Sequence, residues 1–96
     1  MDKTEYEIAR GERAAQLLAD PIIADAFEGI EKEYINAWLE SPVRDYEGRE
    51  ELYRLLRSLR AVQAKIHAVV DDGKVAKATL AEQVRAVGQR LNPFSS

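Results

Sequence analysis

The chain reads as an all-α protein, a long antiparallel helical hairpin flanked by a helix at each end. Three observations predict this. From Asp45 to Val70, the residues Leu52, Leu55, Leu59, Val62, Ile66 and Val69 recur in alternating steps of three and four, with Leu56 and Val70 alongside. That spacing gathers them into one apolar stripe on a single helix. A second stripe of the same period, Ile23, Ala26, Phe27, Ile30, Tyr34, Ala37 and Trp38, precedes it. Between the two stands a short Ser41-Pro42 break, of the length that joins antiparallel helices. No stretch has the alternation of a strand.

Each element has its own signals. Thr4 with Glu7 forms the pattern of a capping box, opening helix one over about 5–19. Ile8, Ala15, Leu17 and Leu18 are its expected buried face; Gly11 weakens it, and its low apolar content leaves it little to cover. Asp20-Pro21 breaks and restarts the chain, because proline cannot continue a helix but suits the first turn of the next, with Asp20 as N-cap. Helix two spans about 21–39. Helix three, about 45–71, has Asp45 as N-cap, and Glu47, Glu50 and Glu51 near its positive end. Glu50 is one turn from Arg54 and able to pair with it. Asp71-Asp72-Gly73 has the form of a helix stop, with Gly73 at the left-handed position beyond the end. Helix four then covers about 74–91, on the stripe Ala76, Leu80, Val84, Val87 and Leu91, until Asn92-Pro93. Residues 92–96 are expected to be a mobile tail.

At 96 residues the chain is a single helical domain, 46% hydrophobic and 32% charged. Those are the proportions of a folded domain, too apolar for disorder. Cysteine is absent, which excludes disulfides, thiolate metal sites and cysteine nucleophiles. The beginning MDKTEYEIAR lacks the apolar core of a secretory signal, and no apolar run approaches the length of a membrane span. The net charge of −3 argues against bulk nucleic-acid binding. Its distribution is two-sided. Helix two carries Asp25, Glu28, Glu31 and Glu33 on one face, whereas the outer face of helix three carries Arg49, Arg54, Arg57, Arg60 and Lys65, with Tyr53 and His67.

Catalytic chemistry has little to stand on. His67 is the only histidine, so no histidine partner exists to share a metal, and it reads as a surface residue. The glutamates of helix two lack the Glu-x-x-His pattern of helical di-metal sites and read as a solvated acidic face. Asp71-Asp72-Gly73 lacks the oxygen-ligand series of a calcium loop. The five glycines are isolated, and neither Ser41 nor Ser58 has a nucleophile-elbow setting. An enzyme is the weakest class, and no cofactor, metal or small-molecule substrate is expected. The basic face of helix three has three readings: a solvated face, a surface for an acidic protein, or a track for phosphates. Tyr34 and Trp38 suit either the core of the hairpin or an interface anchor.

The run from Arg10 to Ile66 resembles short proteins encoded by tailed phages and prophages of proteobacteria. The resemblance is carried by Arg10-Gly11 with Ala14 and Leu17-Leu18, then Ala26-Phe27, Tyr34 and Trp38, then Asp45 and Arg49-Glu50. It implies a phage product acting in the bacterial host cytoplasm or built into a virion, and it transfers no residue roles.

The expected function is non-enzymatic protein binding, as a self-assembling structural, assembly or packaging component. Helix three's stripe, with Tyr34 and Trp38, would make the apolar contacts, and Arg49, Arg54, Arg57 and Arg60, with Tyr53 among the protein-binding residues beside them, would meet an acidic partner, including the acidic face of another copy. Two alternatives stand beside it. One is a nucleic-acid-binding packaging or regulatory subunit. The other is an inhibitor of a host defence complex, acting through Asp25, Glu28, Glu31 and Glu33.

Overall fold

A computed structural model, described over residues 2–91, is all-α, with three helices: α1 (Lys3–Ala19), α2 (Pro21–Glu40) and α3 (Tyr46–Leu91). The caps explain most boundaries. Asp2, rather than Thr4, opens α1: its carboxylate accepts from the Glu5 amide at 2.8 Å, so the helix starts at Lys3 and Thr4 lies inside it. The Thr4–Glu7 box is therefore not used. Asp20 caps α2 as expected, accepting from the Ile22 amide at 2.8 Å with Pro21 in the first turn. Ser41 closes α2, its hydroxyl donating to the Trp38 carbonyl at 2.6 Å. Asp45 caps α3 through the Gly48 amide at 3.0 Å.

The main departure lies at Asp71-Asp72-Gly73. There is no stop there and no separate fourth helix: α3 is one helix of 46 residues, about 69 Å long at the usual rise. No glycine among the described residues has positive φ, so Gly73 does not take the left-handed form of a helix end. Glycine inside a helix costs about 1 kcal/mol relative to alanine. Here tertiary packing offsets that cost. A Cβ added at Gly73 would stand 2.8 Å from the Gly11 Cα, and one added at Gly11 would stand 2.7 Å from the Gly73 Cα. The two backbones approach so closely that each position requires glycine, as at small-residue helix crossings generally. Ala14 and Ala76 are buried on either side of this contact, both at 6% exposure.

The topology follows from residues that meet. Gly11 touches Gly73, Leu18 and Phe27 share a groove with Gln63 and His67, Glu31 reaches Arg60, and Trp38 lies under Arg49. Numbers rise on one side as they fall on the other. α1 and α2 thus lie end to end along α3, antiparallel to it, and the hairpin's first arm is α1 plus α2, broken once at Asp20-Pro21. The closest packing is between α1 and α3, and α2 sits more loosely. This corrects the expectation that helix one covers little. Small residues, not large apolar ones, make its contact: Gly11 and Ala14 are buried and Ile8 and Leu18 half-buried, while Ala15 and Leu17 are exposed. The molecule measures 75 × 25 × 24 Å, with a radius of gyration of 21.5 Å. A compact chain of this length would have about 12.5 Å. The expected tail at 92–96 and the Asn92-Pro93 stop lie outside the described residues.

Candidate protein-binding surface

With only two helices side by side along most of its length, the molecule buries a seam and leaves both flanks of that seam open. Toward the turn, Tyr34, Ile35 and Trp38 of α2 and Leu52, Tyr53 and Leu56 of α3 line a groove of about 310 Å³. Tyr34 is half-buried in the seam, whereas Trp38 is 43% exposed. Arg49 places its guanidinium 4.8 Å from the Trp38 ring centre, a cation–π contact. Of the aromatic pair, Tyr34 thus lies in the hairpin's core seam and Trp38 stands at its open edge.

The arginines of the basic face of α3 are engaged within their own chain, whereas Lys65 lies apart from them on the α1 side. Arg54 pairs with Glu50 at 2.9 Å. Arg57 donates to the Tyr53 hydroxyl at 3.0 Å and lies over its ring. Arg60 reaches Glu31 of α2 at 2.8 Å. The acid–base match read between helices two and three is thus made once inside the molecule. These are surface contacts, each worth on the order of 1 kcal/mol or less, and a partner could displace them. On α2, Glu28 pairs with Lys32 at 3.0 Å, and Asp25 and Glu33 have no ion pair among the described residues. His67 is exposed, on the rim of the groove shared by Leu18, Ile23 and Phe27. Among the described residues no three histidine or acidic side chains converge as metal ligands, and no helix is long and apolar enough to cross a membrane.

A groove of greater volume lies between α1 and α3, outside the residues expected to form a site. Tyr6, Leu17, Ile66 and Val69 floor a channel of about 530 Å³ between α1 and α3, rimmed by Arg10, Arg13 and Lys65. The signal is the spacing of Tyr6, Arg10, Arg13 and Leu17, which puts them on one flank of a helix whose centre is Gly11 and Ala14. Beyond α1, the last part of α3 runs on with Val84 64% and Val87 44% exposed. No family model, curated protein or solved structure matches the chain.

Proposed function

We propose that this chain is a non-enzymatic protein-binding element that self-assembles through the open flanks of its helical seam. One observation carries the reading. The chain exposes 7918 Å² of surface, whereas a compact folded chain of 10.8 kDa exposes about 5,500 Å². Large apolar side chains stand in that exposed surface, among them Tyr6, Leu17, Val62, Leu55, Trp38 and Val84. Exposed large apolar side chains in this number support an interaction surface. The resemblance to short tailed-phage proteins supports placing the assembly in a structural, assembly or packaging role of a phage. The intramolecular engagement of Arg54, Arg57 and Arg60 favours protein over nucleic acid as the partner.

Light scattering on the purified chain, at low and high salt, tests this. A mass that is a multiple of 10.8 kDa at micromolar concentration is expected. A strict monomer at both salts overturns self-assembly.

A further inference from the structure

We infer that the partner is a second copy of the chain, docked antiparallel on one particular flank of the hairpin to make a four-helix bundle. The inference rests on the self-assembly reading above and adds which face pairs and in which direction.

The flank is defined by spacing and by the grooves. On α3, Leu55, Val62 and Val69 stand seven residues apart, and Val69 opens onto the α1 channel with Tyr6 and Leu17. On α2, Glu31, Ile35 and Trp38 line grooves on the opposite flank, and Glu31 is held there by Arg60. That leaves Ile30, Glu33, Ala37 and Glu40, at steps of three and four, on the same flank as Val62. The result is a row of apolar residues along the hairpin, Leu55, Val62 and Val69 of α3 beside Ile30 and Ala37 of α2, with Val62 51% exposed at its middle.

Charge then sets the direction. The end of the strip beside α1 is edged by Arg10, Arg13 and Lys65. The end beside α2 is edged by Glu33 and Glu40. A surface that is basic at one end and acidic at the other is self-complementary only when two copies run opposite ways about a two-fold axis. The register agrees. Glu31 meets Arg60, so Ile30 lies level with Val62 and Glu33 about a turn away toward the hairpin's turn, while Lys65 lies about a turn away on the other side. An axis at Val62 brings Lys65 of one copy toward Glu33 of the other, and Leu55 toward the partner copy's Ile66 and Val69. The area is sufficient. Two chains together carry about 4,800 Å² beyond the surface of compact chains, and an obligate homodimer interface buries about 2,000–5,000 Å².

The test is a charge swap on residues without an ion pair in the monomer. One full-length variant carries Arg13→Glu and Lys65→Glu, reversing two of the three cations at the basic end and leaving Arg10 as the remaining one. The other carries Glu33→Lys and Glu40→Lys, making the flank basic throughout. Circular dichroism checks that each remains helical. Each variant alone is expected to scatter as a 10.8 kDa monomer at concentrations where the parent chain is twice that mass. An equimolar mixture is expected to regain the doubled mass. If the parent chain is itself a monomer, self-assembly fails and this inference with it. If the parent assembles but the variants assemble equally well alone, or the mixture stays monomeric, assembly uses another face and this inference alone is overturned.

Discussion

At the scale of single residues, the glycines decide more than the leucines. Gly11 and Gly73 each leave no room for a methyl group, because the atoms in the way are backbone. Gly29 and Gly88 face open space, with nothing within 4 Å of an added Cβ. The same substitution should therefore act with opposite signs. Gly11→Ala and Gly73→Ala are expected to destabilise the fold by about 1–3 kcal/mol through overpacking, despite better helix propensity. Gly29→Ala and Gly88→Ala are expected to stabilise it by up to about 1 kcal/mol. Thermal melts at one fixed protein concentration would read both, since assembly makes the midpoint concentration-dependent. The N-caps were legible from residue type where Asp20 and Asp45 stand before a helix. At the N-terminus the cap is Asp2, whose carboxylate accepts from the Glu5 amide two residues before the expected Thr4.

At the scale of elements, the all-α class, α1, α2 and the position of the turn follow from period and proline. The join of the third and fourth stripes was not read, and the reason is physical. Asp-Asp-Gly is a helix stop when its carbonyls need capping, but here Gly73 is packed against Gly11, and Asp71 and Asp72 sit on the exposed side. A signal was present in the sequence. Leu52, Leu59, Ile66, Gly73, Leu80 and Val87 form an unbroken seven-residue series through the supposed stop, the mark of one continuous helix packed along a seam. Local glycine propensity and long-range period disagreed, and the period prevailed. Asp72→Pro tests the continuity. Proline in mid-helix is expected to cost about 3 kcal/mol or more and to loosen α1, seen as reduced ellipticity and a lower melting midpoint. A true stop at Asp72 would accept the proline with little change.

At the scale of the whole molecule, an elongated two-arm hairpin cannot cover its own apolar residues. The large apolar stripes alone predict a hairpin of helices two and three with helix one as a minor addition. In the structure α1 and α2 share the first arm, and the strongest contact belongs to α1. That arrangement puts the basic rim of Arg13 and Lys65 and the acids Glu33 and Glu40 on one flank at opposite ends, a pairing hidden while α1 was treated as peripheral. The grooves beside Trp38 and beside Tyr6 were legible only in part. Each needs the register between arms as well as the helical period. The aromatic residues were recognisable, but their neighbours across the seam were not.

The most direct measurement is small-angle X-ray scattering with absolute intensity calibration, taken over a concentration series. Side-by-side antiparallel pairing predicts twice the 10.8 kDa chain mass with a longest dimension still close to 75 Å. A doubled mass with roughly twice that length would mean end-to-end contact. A single-chain mass with a radius of gyration near 12.5 Å, the value for a compact fold, would contradict both the open hairpin and its completion by a second copy.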